Sequence, residues 1–160
     1  MNSSVKEYSG EFNIRLIFAK GNDCDLLFGW ANDPTVRANS FNINPIPYED
    51  HVDWFTNKLN SPTTLIFIAY EKVTPVGQIR IEVEGSSGVV NFSISKEFRG
   101  KGYGTEMLKL VGALVKKNSS SVTQLIGKVK KENIASQKAF ENAGFLLESE
   151  EDYLVFVKTI

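Results

Sequence analysis

The chain has 160 residues, of which 42% are hydrophobic and 23% are charged, and its formal net charge at pH 7 is −1. This composition is typical of one folded domain, and the small net charge gives no general attraction to nucleic acid. No apolar run approaches the roughly 18 residues that cross a bilayer, and the N-terminal sequence lacks the layout of a signal peptide, so we expect a cytoplasmic protein without a membrane partner. With His51 as the only histidine and Cys24 as the only cysteine, a His/Cys zinc site is excluded, and we expect no metal.

The first half of the chain predicts two strands and two helices. We expect residues 1–10 to form a flexible N-terminus and residues 11–160 to form a single domain. The predicted elements are a strand at 12–19, a helix at 23–33, a helix that opens at Pro47 and ends before Pro62, and a strand at 64–70. The segment 36–47 between the two helices is rich in asparagine and proline, which predicts a loop.

The second half predicts a hairpin, a long helix and a closing unit of strand, helix and hairpin. We expect a turn at 74–77, strands at 78–84 and 89–95 joined by the turn GSSG, and a helix that ends near Lys117. A strand at 122–129 follows, then a helix from the N-cap Asn133 to Asn142, with Gly144 just after its end. The closing segment YLVFVK could complete the sheet of the same chain or pair across a homodimer.

Three glycines stand in front of the long helix, in the stretch EFRGKGYGTEMLKL at 97–110. The spacing of a P-loop is absent, and so is the third glycine of a dinucleotide-binding turn. Glycines still let successive amides turn toward an anion, and a helix N-terminus adds partial positive charge. Arg99 and Lys101 can add full charges. The residues alone leave open a phosphate cradle or a plain strand-to-helix turn.

Two motifs resemble those of the GNAT N-acetyltransferases. Arg99-x-x-Gly102-x-Gly104 is similar to the loop that holds the acetyl-CoA pyrophosphate in that family, and the segment 133–145 is similar to the family motif N-x-x-[AS]-x-x-x-[YF]-x-x-x-G-F. The resemblance implies a fold of class α/β (α+β), with a mixed, mostly antiparallel sheet that splays between strands 4 and 5 and is flanked by helices. It also implies an acyltransferase in which an amine directly attacks acetyl-CoA.

The same resemblance implies a set of acetyl-CoA-binding residues. Backbone amides at the end of strand 4 would meet the pantetheine arm and the thioester carbonyl, the glycine loop would wrap the pyrophosphate, and the helix after Asn133 would face the arm from the other side. The implied residues are Ile94, Ser95, Arg99, Gly100, Lys101, Gly102, Tyr103, Gly104, Thr105, Asn133, Ser136 and Phe140. Many relatives carry a tyrosine at position 140 that protonates the CoA thiolate. Phenylalanine here suggests a ring that packs against the arm, with water or another acid in the proton-donating role.

The base that takes the amine proton has three candidates. Glu82 and Glu84 share one face of the strand at 78–84, and His51 lies on the second predicted helix. A solvated strand face and a surface histidine are the alternatives for these residues.

The N-terminal half bears on the acceptor. The run W-x-N-D-P-x-V-R at 30–37, followed by E-D-H at 49–51, resembles the GNAT enzymes that acetylate nucleotide-linked amino sugars, in particular those of pseudaminic acid biosynthesis. This resemblance implies the 4-amino group of a UDP-linked deoxy-amino sugar as acceptor. The implied substrate-binding residues are Asp33, Arg37, Asn39, Phe41 and Trp54. Two alternatives stay open: a ribosomal-protein-type N-terminal acetyltransferase, because that group shares the W-x-N-D-P opening, and a module that binds acetyl-CoA without turning it over.

Overall fold

The computed structural model describes residues 13–160 and forms a seven-stranded sheet in the order β1-β2-β3-β4-β5-β7-β6. The strands are β1 (Ile14–Phe18), β2 (Thr64–Glu71), β3 (Thr74–Glu84), β4 (Ser87–Ile94), β5 (Gln124–Val129), β6 (Leu146–Ser149) and β7 (Leu154–Thr159). The α-helices of this part of the chain are α1 (Cys24–Ala31), α2 (Pro34–Asn39), α3 (Tyr48–Leu59), α4 (Tyr103–Asn118) and α5 (Ile134–Asn142). The predicted flexible segment 1–10 and the first residue of the first predicted strand lie outside the described residues.

The sheet opens between β4 and β5. These two strands form the parallel pair of an otherwise antiparallel sheet, and α4 makes the crossover between them. Their pairing runs from Ser87 with Gln124 to Val90 with Gly127, whereas β4 continues to Ile94. The last four residues of β4 therefore separate from β5, which confirms the predicted fold class and its splay.

Two apolar clusters hold the helices on opposite faces of the sheet. Strand β3 shows the reason, because its alternate residues point to opposite faces. Ile79 and Ile81 are fully buried in the larger cluster with Met107 and Val111 of α4. The smaller cluster is Leu27, Phe55, Ile66 and Ile68, contributed by α1, α3 and β2. The polar residues of β3 face this second side, next to α3.

Two local predictions were wrong. The first part of the predicted loop at 36–47 is helical, because Pro34 occupies the first turn of α2 and the Asp33 carboxylate accepts the amides of Thr35 (2.9 Å) and Val36 (3.3 Å). The predicted turn at 74–77 belongs to β3, and the chain reverses at Lys72 and Val73 instead. A bulge between Ala69 and Tyr70 lies opposite Pro75, where the ladder tolerates a residue without an N–H.

The C-terminal segment YLVFVK supplies β7, which lies between β5 and β6 and so completes the sheet of its own chain. Within residues 13–160, no helix is long and apolar enough to cross a membrane. The same residues contain no group of three or more His, Cys, Asp or Glu side chains that could hold a metal ion.

Candidate active site

The end of β4 presents its main chain to the opening. The amide of Ser95 donates to the Val76 carbonyl (2.8 Å), and Gly77 pairs with Ile94 in the next position. Because main-chain groups alternate along an antiparallel strand, those of Phe92 and Ile94 point away from β3 and toward the opening. The predicted role of an amide donor therefore fits Ile94. It does not fit Ser95, whose amide is bonded within the sheet.

The glycine loop has the backbone geometry of an anion cradle. Gly100 (φ 75°) and Gly102 (φ 90°) are in the left-handed region, which glycine adopts without steric cost. Gly102 is the N-cap of α4, so the first amides of a 16-residue helix follow it directly. A Cβ on Gly104 would lie 2.9 Å from Cε2 of Phe92, so this turn packs against β4 with no room for a side chain. These features fit a pyrophosphate group at the start of α4.

Arg99 links the glycine loop to the segment after α1. Its Nε donates to the Ile94 carbonyl (3.0 Å), and its Nη2 lies 2.9 Å from Oδ1 of Asp33. The pair joins a predicted acetyl-CoA-binding residue to a predicted acceptor-binding residue. Burial opposes the charge of Asp33, but hydrogen bonds from Arg99, Val36 and Thr35 together hold the pKa of this carboxyl below its ordinary value.

The other side chains of the loop divide into exposed and buried. Lys101 is exposed, with Nζ 5.7 Å from the centre of the Phe98 ring, so its charge is open to solvent beside the loop. Tyr103 is buried, packs edge-on against Phe98, and is hydrogen-bonded to Glu71, so the predicted cofactor contact does not fit its hydroxyl. Thr105 is half-buried in the first turn of α4.

Across the opening, Asn133 and Ser136 begin α5. The Asn133 side chain accepts the Ser136 amide (3.2 Å), so it caps the helix. Phe140 is 2% exposed, stacks on Phe156 with ring centres 5.5 Å apart, and covers Gly127, where a Cβ would overlap its ring. Phe140 is thus a core residue, and the predicted packing of its ring against the cofactor arm does not fit this position.

The structure places the two predicted glutamate bases away from the opening. Glu82 pairs with Val89 and Glu84 with Ser87, at the end of β4 that is still bonded to β5. Glu84 is seven residues along β3 from Gly77, or about 23 Å at the usual rise per residue. Strand alternation identifies a face and gives no indication of which end of the strand meets the opening, so the sequence could not place these residues along β3.

Glu82 is also held in its charged form. Its carboxylate accepts from Lys58 Nζ (2.6 Å) and from Arg80 Nε (3.0 Å). Burial would raise its pKa, but the Lys58 hydrogen bond and the Arg80 charge lower the pKa overall. A carboxylate with a lowered pKa is a weak proton acceptor.

His51 is an interior residue of the α1–α3 cluster. It is 3% exposed, its ring is parallel to that of Phe55, and its Nε2 lies 3.0 Å from the Cys24 carbonyl. The spacing of four residues on α3 puts His51 and Phe55 on the same buried face. The predicted catalytic role is therefore not supported by its position.

A polar surface that the sequence reasoning missed lies on the α3 side of the opening. Gln78 Nε2 donates to Asn91 Oδ1 (3.1 Å) and to Ser93 Oγ (3.2 Å) across the β3–β4 pair. Asn91 is exposed and Ser93 is half-buried. Period-two alternation through 89–95 would have placed both on one face, next to the free end of β4. We call Gln78, Arg80, Asn91, Ser93 and Trp54 the α3-side surface.

The segment after α2 is organised by Arg37 rather than left free for a ligand. The Arg37 guanidinium donates to the carbonyls of Ala31 (2.7 Å), Asn42 (2.8 Å) and Asn44 (3.1 Å) and to the Ser40 hydroxyl (3.0 Å). Burial lowers its pKa. The predicted contact between Arg37 and a diphosphate does not fit donors that are already engaged.

The same segment reaches toward the C-terminal half. Phe41 is 59% exposed and meets Tyr153 edge-on, with ring centres 5.3 Å apart, while Lys130 donates to the Ala38 carbonyl (3.1 Å). Asn39 ends α2 and is half-buried. Trp54 lies on α3 with the Arg80 guanidinium 5.0 Å above its ring. Of the predicted acceptor residues, Phe41 and Trp54 lie on surfaces that a ligand can reach.

The order of the strands and the opening between β4 and β5 are those expected of an acyltransferase. The acetyltransferase (GNAT) domain matches residues 13–146, and the chain belongs to this family. An uncharacterised N-acetyltransferase of Bacillus subtilis, YobR, is 29% identical over 96 residues, which are 59% of this chain and 38% of the relative. The chain thus spans about two-fifths of the length of that relative.

Solved structures share the fold. The aminoglycoside acetyltransferase AAC(6′)-Ib, in complex with paromomycin and acetyl-CoA, is 17% identical with a TM-score of 0.79, covering 91% of this chain and 93% of that one. Spermidine N-acetyltransferase from Vibrio cholerae, in complex with CoA and spermine, is 16% identical with a TM-score of 0.77, covering 92% and 94%. At these identities the likeness establishes the fold alone.

Proposed function

We propose that this protein transfers the acetyl group of acetyl-CoA to a primary amine, with the two substrates approaching the β4–β5 opening from opposite faces of the sheet. The observation that carries this proposal is the opening itself. The glycine cradle and α4 border it on one face, and the α3-side surface borders it on the other. An opening that joins the two faces lets the amine reach the thioester while the rest of the donor stays on the α4 side.

The described residues suggest how the transfer would proceed. The Ile94 amide can donate to the thioester oxygen, where negative charge develops as the amine attacks. A C–N bond forms, the C–S bond breaks, and the electron pair leaves with the CoA thiolate. Holding both reactants at the opening would supply much of the acceleration.

The proton steps need groups other than those predicted. Because Glu82, Glu84 and His51 lie away from the opening, we propose that water held by Asn91 and Ser93 takes the amine proton. Phe140 has no hydroxyl and lies in the core, so the thiolate would leave without a tyrosine acid.

We further propose that the acceptor is a nucleotide-linked amino sugar, acetylated on its 4-amino group. Lys58 and Arg80 provide two positive charges and Glu82 one negative charge, so this charged cluster beside Trp54 has a net charge of +1. Polycations such as aminoglycosides and polyamines bind best to surplus carboxylate. A diphosphate and a base ring suit a surface with surplus cation and aromatic side chains.

Release of the CoA thiol from acetyl-CoA, measured against a panel of amines, tests this proposal. The panel contains a UDP-linked 4-amino-dideoxy sugar, spermidine, kanamycin and peptides with free N-termini. We expect selective turnover of the nucleotide sugar. Selective turnover of peptides would favour the ribosomal-protein-type function. Binding of acetyl-CoA without turnover of any amine would favour the binding module.

A further inference from the structure

Arg80 is held by two contacts and keeps part of its guanidinium unpaired. Its Nε donates to Oε2 of Glu82 (3.0 Å), its guanidinium lies 5.0 Å above the Trp54 ring, and its side chain is 22% exposed. Because a guanidinium is planar, these two contacts set both its tilt and its direction. The side chain is therefore preorganised, and a ligand that binds it would not have to order a flexible arm.

The unpaired part of the guanidinium carries the Nη1 and Nη2 donors. Among residues 13–160, neither nitrogen has a hydrogen-bond acceptor, and neither is buried. Arg37, by contrast, uses Nε, Nη1 and Nη2 within its own segment, and Arg99 uses Nε for Ile94 and Nη2 for Asp33. The two terminal nitrogens of a guanidinium match the spacing of two oxygens of a phosphate or carboxylate. Of these three arginines, Arg80 has both Nη nitrogens available, whereas Nη2 is already engaged in Arg37 and Arg99.

The surrounding charges favour an anion at this edge. Glu82 is shared between Arg80 and Lys58, so it cannot neutralise both cations. Burial lowers the pKa of Arg80, and the Glu82 charge opposes that effect. A partly buried cation with unused donors gains from a second anionic partner.

The position of Arg80 relates this edge to the reaction. Arg80 pairs with Asn91 and Gly77 pairs with Ile94, three residues further toward the opening. This separation is on the order of 10 Å along the strand. If the acceptor enters from the α3 side and places its amine in the opening, the rest of the molecule lies beside Arg80. An anionic group in that part of the acceptor would then be within reach of the guanidinium.

We propose that Arg80 is an acceptor-binding residue whose Nη edge binds a phosphate group of the amine acceptor. This inference rests on the proposed function insofar as the acceptor enters from the α3 side. Arg80, rather than Arg37, would then bind the diphosphate of a nucleotide-linked substrate. Tight binding of the acceptor would require a phosphate group on it.

Calorimetric titration of UDP into the full-length protein saturated with CoA tests the proposal. Saturating CoA fills the glycine cradle, so UDP must bind elsewhere. We expect UDP to bind, uridine to bind far more weakly, and Arg80→Gln to raise the Kd for UDP about 10- to 100-fold, the range for hydrogen bonds to charged groups. Arg15→Gln is the matched control, because Arg15 also lies over an aromatic ring, that of Tyr70, but on β1. Its Kd for UDP should match the wild type.

Two results would overturn the proposal: no UDP binding to the CoA-saturated wild type, or an Arg80→Gln Kd within twofold of it. An unchanged Kd for CoA shows that a variant is folded. If Arg80→Gln fails this check, Arg80→Lys carries the test, since it keeps the charge and loses the paired donors; we expect at least a threefold rise in Kd, and an unchanged value would overturn the proposal.

Turnover separates this inference from the proposed function. UDP binding through Arg80 without acetylation of the UDP-linked amino sugar would reject that acceptor and leave the phosphate site standing. Acetylation of the sugar with the same KM in Arg80→Gln and wild type would reject the role of Arg80 and leave the acceptor standing. We expect Arg80→Gln to raise KM for the sugar at least tenfold while kcat stays within threefold.

Discussion

The two faces of the sheet beside the β4–β5 opening are built from different parts of the chain. On the α4 face the main features are backbone ones: the left-handed Gly100 and Gly102, the close approach of Gly104 to Phe92, and the N-terminus of α4. On the α3 face they are side chains from separate elements, namely Trp54 and Lys58 from α3 and Arg80 from β3. Under the proposed function, backbone groups would hold the acetyl-CoA donor and side chains would select the acceptor.

The largest expected effect is on the α4 face, at Gly104. Gly104→Ala places a Cβ 2.9 Å from the Phe92 ring, and overpacking of this kind costs about 1–3 kcal/mol. We expect the Kd for CoA, measured by calorimetry, to rise roughly tenfold or more, and Gly104→Val to weaken binding further. Gly29→Ala is the matched control, because Gly29 is also helical and has open space around its added Cβ. Equal CoA affinity for Gly104→Ala and Gly29→Ala would contradict the cradle.

A second effect is expected in the core under the opening, at Phe140. Phe140→Tyr adds a hydroxyl to a ring that is 2% exposed and packed on Phe156. Burial of an unpaired hydroxyl costs about 1–3 kcal/mol. We expect urea denaturation to show that loss of stability, with no increase in kcat. A rise in kcat of tenfold or more would show instead that position 140 can supply the missing acid to the thiolate.

A third, smaller effect concerns Asp33, which joins the two faces through Arg99. Asp33→Ala removes a helix cap worth about 1 kcal/mol and an ion pair worth at most about 1 kcal/mol more, whereas Asp33→Asn keeps the cap. Urea denaturation at pH 7 should therefore rank the free energies of unfolding as wild type, then Asp33→Asn, then Asp33→Ala.

The pH dependence of this effect has a defined sign. The pKa of Asp33 is lowered from 3.8 in the folded state, so its charge contributes stability above pH 3.8 that is lost as the pH falls through the lower folded-state pKa. The difference between wild type and Asp33→Asn should shrink in that acid range. A difference that stayed constant from pH 7 to pH 2 would contradict the ion pair.

The smallest effect is expected for the carboxylates of β3. Loss of a general base lowers the rate about 10²- to 10⁴-fold. Because Glu84 lies at the closed end of the sheet, we expect Glu84→Gln to change kcat by less than threefold. Glu82→Gln frees Lys58 and Arg80, so it should alter KM for the acceptor more than kcat. A hundredfold fall in kcat for either variant, with loss of the acid limb of the pH–rate profile, would restore that residue as the base.

The fold and the backbone geometry of the glycine loop could be predicted from the sequence because their signals are local. The glycine spacing, the helix that ends near Lys117 and the cap at Asn133 are each recognised within a few residues, and the structure contains all three. The position of α2 was missed although its signal, Asp33 followed by Pro34, is equally local.

The proposed acceptor side could not be predicted because it depends on pairing between distant segments. Period-two alternation put Glu82 and Glu84 on the correct face, but only the register with β4 shows that they lie at its closed end. Nothing in the sequence around Arg37 indicates that main-chain carbonyls accept its hydrogen bonds. Arg80 was not singled out because one of its two partners, Trp54, lies on α3, and the other, Glu82, lies two residues along β3.

The central claim is that donor and acceptor occupy opposite faces at the same time and react directly through the opening. Initial rates of CoA-thiol release, measured while acetyl-CoA and a UDP-linked 4-amino-dideoxy sugar are both varied, test this claim most directly. We predict release that depends on the sugar and intersecting double-reciprocal lines, as for reaction within a ternary complex. Parallel lines, which indicate an acetylated enzyme, or release that ignores the sugar would contradict it.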